Sequence, residues 1–261
     1  MSVRLGERSL RNNANSGCTT ETWNPITGCT KVSPGCKHCY AERIALRLQA
    51  IGQPKYANGF RVTLHQDALQ RPHKWKRPRR VFVNSMSDLF HDDVPDEFIL
   101  RVFNVMHAAR QHAYMALTKR AERLSRIDAI LPWASHISMG VTVENAEYAW
   151  RIGHLRQTGA RVKFLSLEPL LGPLPDLDLA GIDRVFVGPE SGPNARPMDP
   201  RWVTDIRDQC DEQGVSFTHK QRRGRRRKRA GRALEGIRHR DLPPVPPRPA
   251  GSLPEQLLIR M

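Results

Sequence analysis

The sequence lacks a long apolar segment, and its first residues lack the apolar core of a secretion signal. Without a run of about 18 apolar residues, no helix is expected to cross a membrane. The polar segment 1–17 does not have the form of a signal peptide. We therefore expect a cytoplasmic protein with no membrane partner. An apolar fraction of 39% in 261 residues is enough for the core of one α/β barrel.

Cysteine is scarce and unevenly placed. The chain has five cysteines, and Cys29, Cys36 and Cys39 fall close together. In a reducing compartment an odd, crowded set indicates metal ligation rather than a disulfide framework. Cys210 falls on the apolar face of a predicted helix, and we expect it to be buried.

Acidic residues are rare at the C-terminal end. Most of the net charge of +16 comes from residues 219–261, and a basic run at 221–232 precedes the proline-rich stretch 243–249. Such a segment cannot bury enough apolar area to fold, so we expect a disordered basic tail. Its charge would attract nucleic acid, although a tail that only aids solubility is the alternative. The predicted organisation is an N-terminal extension (1–19), a barrel (20–220) and the tail (221–261).

Short apolar runs with β-type composition alternate with helical patterns from Val81 onward, at a spacing typical of βαβ units. Near-continuous apolar runs indicate strands that are buried on both faces. We therefore predict an α/β fold with a parallel sheet, in the form of a partial TIM-type (β/α) barrel. The predicted strands are 80–84, 113–117, 137–143, 162–167, 184–188 and 215–219. The predicted helices are 40–51, 96–110, 145–157 and 201–213.

Each predicted strand ends in polar residues, many of them ionisable. Strands also end in polar loops for purely structural reasons. However, so many charged ends favour a barrel whose chemistry lies at the carboxyl ends of its strands.

The three clustered cysteines form a C-x6-C-x2-C pattern that leads into the first predicted helix. Three thiolates in a short loop suit an iron–sulfur cluster with one iron left open. A structural zinc ion is an alternative, with Cys18 as an outside ligand. Unligated thiols are another.

Long stretches of the chain resemble a family of radical S-adenosylmethionine (SAM)-like proteins of phages and bacterial genomes, usually described as phage proteins of unknown function. The resemblance covers residues 20–220. The stretches that carry it include TWNPITGCTKVSPGCKHCYAER, VFVNSMSDLFHDDVP, GVTVEN, FLSLEPLLGPL and ESGPNARPM.

The resemblance implies a [4Fe–4S] cluster on Cys29, Cys36 and Cys39, together with SAM bound in the barrel. In radical SAM enzymes an electron that passes through the cluster breaks the sulfonium bond of SAM and yields a 5′-deoxyadenosyl radical. A reductase, or an electron donor of the flavodoxin or ferredoxin type, would be the partner.

Roles for the polar strand ends follow from the same resemblance. Residues expected to contact SAM or the cluster are Tyr40, Asn84, Ser85, Ser87, Asp88, Glu144 and Glu168. Residues expected on the substrate side are Lys119, Arg120, Glu190 and Lys220. The structural alternatives are helix capping by Ser87 or Asp88, ion pairing by the glutamates, and a solvated helix start at 119–120.

The sequence thus predicts a radical SAM-type enzyme that acts on an unidentified substrate, for which nucleic acid or a modified nucleotide is favoured. The alternative is a non-enzymatic nucleic-acid-binding protein with a structural zinc or iron–sulfur site at the clustered cysteines.

Overall fold

The computed structural model describes residues 21–220, which fold around a seven-stranded parallel sheet. The prediction of an α/β fold with a parallel sheet is confirmed. The strands are β1 (Glu21–Trp23), β2 (Ile26–Thr27), β3 (Thr63–Leu64), β4 (Arg80–Val83), β5 (Ala113–Thr118), β6 (Ile137–Thr142), β7 (Val162–Leu167), β8 (Arg184–Val187) and β9 (Ser216–His219).

The main sheet grows in chain order. Its strand order is β1-β4-β5-β6-β7-β8-β9, and every neighbouring pair is parallel. All carboxyl ends therefore lie at one edge of the sheet, which we call the carboxyl rim. The short strands β2 and β3 form a separate antiparallel pair. The six predicted strands correspond to β4–β9, whereas β1 and the β2–β3 pair were not predicted.

Helices follow most strands of the sheet. The α-helices are α1 (Tyr40–Ala50), α2 (Asp96–Ala108), α3 (Ala121–Ile127), α4 (Arg151–Arg156) and α5 (Pro200–Glu212). Short 3₁₀ helices span Pro34–Cys36, Pro54–Tyr56, Gln66–Ala68, Pro72–Lys74, Asp128–Ile130 and Ala146–Tyr148. Helix α5 begins where capping rules predict, because Asp199 accepts a hydrogen bond from the backbone N–H of Arg201 and Pro200 occupies the first turn.

The two faces of the sheet bury separate apolar clusters. The main core packs between the sheet and its helices and includes Leu165 and Cys210, so the expected burial of Cys210 is confirmed. A smaller cluster joins Phe164 and Phe186, with Met115 and Leu117 packed against them. Adjacent residues of a strand point to opposite faces, so Phe164 and Leu165 contribute to different clusters.

No helix within residues 21–220 is long and apolar enough to cross a membrane. The predicted extension (1–19), Cys18 and the predicted tail (221–261) lie outside the described residues.

Candidate metal and cofactor site

The cysteine loop, residues 28–39, connects β2 to α1 and lies at the carboxyl rim. Backbone hydrogen bonds anchor its start: Gly28 N–H donates to Met86 O at 3.0 Å, and Cys29 N–H donates to Phe60 O at 3.1 Å. Gly28 has a φ of +86°, and a Cβ there would collide with the backbone carbonyl of Arg61. Only glycine fits this close approach. Cys29, Cys36 and Cys39 are free thiols of intermediate exposure.

The buried guanidinium of Arg120 contacts Cys29, the first cysteine of the loop. Arg120 Nη1 is 3.5 Å from Sγ of Cys29 and 3.2 Å from Oδ2 of Asp88, and Nη2 donates to Oγ1 of Thr30 at 2.9 Å. Burial and the charge of Asp88 raise the pKa of the Cys29 thiol to about 11, while Arg120 opposes this rise. Arg120 was expected on the substrate side, but it contacts the cysteine loop.

The Asp88 carboxylate is already engaged by the protein. It accepts hydrogen bonds from Phe90 N–H (3.0 Å), Thr118 Oγ1 (2.7 Å) and Lys119 N–H (3.0 Å) in addition to Arg120. It therefore joins the carboxyl ends of β4 and β5 and orients Arg120. This geometry favours a positioning role over the expected contact with SAM.

Glu144, just after β6, fastens the middle of the cysteine loop. Its fully buried carboxylate accepts from Ser33 Oγ at 2.5 Å and from Arg151 Nη1 at 2.9 Å, and Lys119 Nζ lies 3.3 Å away. A Cβ on Gly35 would lie 2.5 Å from Oε1 of Glu144. The loop thus approaches this carboxylate as closely as glycine allows.

Glu190, after β8, fastens the same loop from another side. Its carboxylate pairs with the Arg196 guanidinium, and Oε2 lies 3.0 Å from Nδ1 of His38. Arg196 also donates to the carbonyl of Pro34 at 2.9 Å. Hydrogen bonds from Arg196 lower the pKa of Glu190 to about 2. Glu190 was expected near the substrate, but it is tied to the cysteine loop.

Glu168 and Lys220 pair across the ends of β7 and β9. Lys220 Nζ is 2.8 Å from Oε1 of Glu168, which also accepts from Ser166 Oγ at 3.1 Å. Lys220 Nζ lies 5.0 Å from the centre of the Phe186 ring. This pair is more exposed than Glu144 and Glu190, and it lies beside the smaller apolar cluster of Phe164 and Phe186.

Asn84, which follows β4, has a buried and unsatisfied side chain. It is 4% exposed, and neither its Oδ1 nor its Nδ2 has a hydrogen-bond partner among the described residues. Its φ of +58° lies in the left-handed region, which asparagine tolerates better than most residues. An orphaned amide is costly in a folded core and is suited to a ligand that supplies complementary polar groups.

The neighbouring candidates have partners within the protein. Ser85 Oγ donates to Oδ1 of Asn24 at 3.2 Å, and Ser87 Oγ donates to Ile26 O at 3.1 Å. Tyr40 reaches from the start of α1 and donates to the carbonyl of Ser85 at 2.6 Å. Burial raises the pKa of Tyr40, so its hydroxyl stays protonated.

Within residues 21–220, no three His, Cys, Asp or Glu side chains are arranged to hold a metal ion together. A single ion requires its ligands to converge on one coordination shell. A four-iron cluster instead binds each thiolate at a different iron, so its ligands are spread more widely. Three half-buried thiols on one loop, and an unsatisfied amide at the same rim, fit such a cluster and a polar ligand.

A family described as "Protein of unknown function (DUF5131)" matches residues 14–243. The chain belongs to this family. The matched region includes the three clustered cysteines and every rim carboxylate, so the whole candidate site falls within the DUF5131 domain. No curated protein and no solved structure matches the chain.

Five residues that shape the site were not predicted. They are Thr30, Ser33, His38, Arg151 and Arg196. Four of them lie in the sequence stretches that carry the family resemblance or directly beside a rim glutamate, which was the available signal. The partners of Thr30, Ser33 and His38 lie far away in sequence and follow only from the strand order.

Proposed function

We propose that this member of the DUF5131 family is a radical SAM-type enzyme with a [4Fe–4S] cluster on Cys29, Cys36 and Cys39. When bound, the cluster supplies an electron that breaks the sulfonium bond of SAM reductively. The observation that carries the proposal is that hydrogen bonds to residues far away in sequence hold the cysteine loop in place. The carboxylates of Glu144 and Glu190, which follow two different strands, hold a loop with three half-buried thiols at the carboxyl rim of a parallel sheet.

We also propose that the sheet curves into a partial TIM-type barrel over residues 20–220. Each strand of the main sheet neighbours the next one in the chain without reversal of order, as in a barrel and unlike a doubly wound sheet. The separate Phe164–Phe186 cluster, on the face away from the main core, supports the same view as an interior packing layer.

Asn84 is our foremost candidate for a SAM contact. Its amide offers one acceptor and two donors that no described group uses. The amino and carboxylate groups of SAM would satisfy them. Glu168, which is partly exposed, remains a candidate for the ribose hydroxyls, and Lys220 for the substrate side. The partners of Glu144 and Glu190 favour a role in holding the loop, and those of Asp88 favour a role in orienting Arg120.

We propose nucleic acid or a modified nucleotide as the substrate class. The basic run 221–232 lies outside the described residues, and we assign it non-specific affinity for phosphate chains. A reductase, flavodoxin or ferredoxin would deliver the electron. Reduced thiols and such donors are features of the cytoplasm, which we propose as the compartment.

The direct test is anaerobic reconstitution of the purified full-length chain with iron and sulfide. We expect about four iron and four sulfide per chain, with charge-transfer absorption, and formation of 5′-deoxyadenosine from SAM under dithionite. Tightly bound zinc without such absorption would exclude the radical enzyme.

A second candidate function, non-enzymatic nucleic-acid binding around a structural metal site, is favoured by segment 71–80. This segment contains six Lys or Arg residues and no acidic residue. Lys76 and Arg77 are exposed beside Trp75, whose ring lies 5.3 Å from the Arg79 guanidinium. Because the segment leads into β4, it lies at the opposite end of the strand from the cysteine loop. Cluster-free protein that binds nucleic acid with unchanged affinity would favour this candidate.

A further inference from the structure

The strongest unexplained feature of the site is the contact between Arg120 and Cys29. Arg120 is 8% exposed, and its Nη1 lies 3.5 Å from Sγ of Cys29. A buried cation with N–H groups aimed at a thiolate forms a charge-assisted hydrogen bond. At an iron–sulfur cluster, hydrogen bonds to the sulfurs and local charge are among the main determinants of the reduction potential.

Arg120 is held in this position from two sides. Nη1 also bonds to Asp88, and Nη2 donates to Oγ1 of Thr30. Thr30 is in turn supported by His91. Since His91 Nδ1 accepts the N–H of Asp93 at 3.0 Å, its Nε2 carries the proton and donates to Oγ1 of Thr30 at 2.8 Å.

Asp88 is fixed just as firmly, since Phe90 N–H and Thr118 Oγ1 both donate to Oδ1. The carboxylate therefore cannot turn away from Arg120 without losing buried hydrogen bonds. Two opposite charges are thus presented to Cys29 in a fixed arrangement, with the cation in contact with the sulfur.

We propose that the Arg120–Asp88 pair sets the reduction potential of the cluster: Arg120 raises it through Cys29, and Asp88 lowers it. The inference rests on the proposed function, because it requires Cys29 to be a cluster ligand. Arg120 and Asp88 are positioning residues that act through the thiolate and do not touch SAM or substrate.

The direction in which each residue shifts the reduction potential follows from the charge of its side chain. One electron from a low-potential donor, dithionite in the test, converts the 2+ cluster core to 1+ and takes up no proton. The three thiolates and the core then carry one more negative charge. A neighbouring guanidinium stabilises this reduced state more than the oxidised state, and a neighbouring carboxylate destabilises it.

The experiment is an anaerobic redox titration of the reconstituted full-length chain without SAM, followed by the electron paramagnetic resonance signal of the reduced cluster. In Arg120→Met we expect a roughly tenfold shift of the reduction equilibrium toward the oxidised cluster. For a one-electron couple this is a fall in potential of about 59 mV. In Asp88→Asn, which keeps the shape of the side chain, we expect a rise in potential.

Two further variants separate this effect of charge on the potential from a non-specific loss of packing around the site. Arg123→Met removes another buried arginine, which lies in α3 and bonds to Asp96 and to backbone carbonyls rather than to a cysteine. It should leave the potential unchanged. Arg120→Lys keeps the charge but cannot span Asp88, Thr30 and Cys29 at once, so we expect a smaller fall. This variant and Asp88→Asn decide the matter if Arg120→Met does not fold.

Shifts of the reduction potential in opposite directions in Arg120→Met and Asp88→Asn support the proposal. A loss of packing alone would not lower the potential in one variant and raise it in the other. Equal potentials in wild type, Arg120→Lys and Asp88→Asn overturn it, and so does a shift in Arg123→Met as large as that in Arg120→Met. In both cases a wild-type chain that carries its cluster and cleaves SAM leaves the proposed function intact. A wild-type chain that takes up no cluster overturns both.

Discussion

Ser33 Oγ donates to the carboxylate of Glu144 across 2.5 Å, and the two residues are 111 positions apart in the chain. This single bond joins the centre of the cysteine loop to the residue that follows β6. Together with the contact between His38 and Glu190, it makes the geometry of the loop a property of the whole sheet rather than of the loop sequence.

Replacement of Cys29, Cys36 or Cys39 with Ala should abolish cluster binding, because each thiolate is a proposed ligand. The matched control is Cys210→Ala, which removes a buried thiol in the main core. That variant should keep its iron and lose only about 1 kcal/mol of unfolding free energy. Iron and sulfide analysis with urea unfolding measures both. Full iron content in any of the three loop variants would contradict the assignment.

Asn84→Gly should weaken SAM binding roughly tenfold, as expected for loss of one or two hydrogen bonds, while cluster content is retained. Glycine accepts the positive φ at this position without strain. Asn194 also has a positive φ, at +60°, but lies in an exposed loop, so Asn194→Gly is the matched control. Equilibrium dialysis with labelled SAM distinguishes them. Equal affinities in both variants would remove Asn84 from the site.

Gly35→Ala should destabilise the chain by about 1–3 kcal/mol, because the new methyl group would lie 2.5 Å from the Glu144 carboxylate. Glu144→Asp withdraws that carboxylate by one methylene. The double variant should therefore be more stable than the sum of the single effects predicts, which a double-mutant cycle in urea measures. Gly153→Ala, with no atom within 4 Å of the new Cβ, is the control and should not destabilise.

Glu190→Gln should destabilise the chain by about 1–3 kcal/mol at pH 7. The difference in unfolding free energy between this variant and the wild type should depend on pH. The pKa of Glu190 is lowered from 4.5 to about 2 by its bonds to Arg196. The ionised carboxylate therefore stabilises the fold above pH 4.5, and this contribution is lost as the pH falls toward 2. Urea unfolding of both proteins across this range should show that their free energies of unfolding converge at low pH. A constant difference would mean that the charge of Glu190 is not what stabilises the loop.

Lys76→Gln combined with Arg77→Gln should weaken nucleic-acid binding and lower the slope of log affinity against log salt by about one per lost phosphate contact. The control pair is Arg47→Gln with Arg126→Gln, which removes two exposed cations from helices α1 and α3. Fluorescence anisotropy at several salt concentrations tests both. The same change in both pairs would indicate general charge attraction rather than a surface at segment 71–80.

The regular part of the fold was predictable because local patterns determine it. Strands β4–β9 are short apolar runs at βαβ spacing, and their predicted positions agree with the structure to within one or two residues. Strand β1 has three residues with a polar start, and β2 and β3 have two residues each, which is too short for any periodicity. Predicted helix 145–157 is a 3₁₀ turn followed by the shorter α4.

The gathering of polar side chains at the carboxyl rim was predictable, but the pairs that they form were not. The charged strand ends predict that ionisable groups gather at the carboxyl rim, yet nothing local indicates that Arg120 contacts Cys29 or that Arg196 donates to the carbonyl of Pro34. Such partners depend on the strand register, which the sequence pattern does not specify. The unsatisfied amide of Asn84 is likewise visible only once its surroundings are known.

The chain order of the sheet has a consequence for biosynthesis. The three loop cysteines are made early, directly after β1 and β2. The groups that hold their loop arrive late, because Glu144 follows β6, and Glu190 and Arg196 follow β8. Domains form as units while the chain leaves the ribosome. The loop of a nascent chain therefore lacks its bond to Arg196 until that residue has emerged, and insertion of the proposed cluster would follow synthesis of nearly the whole sheet.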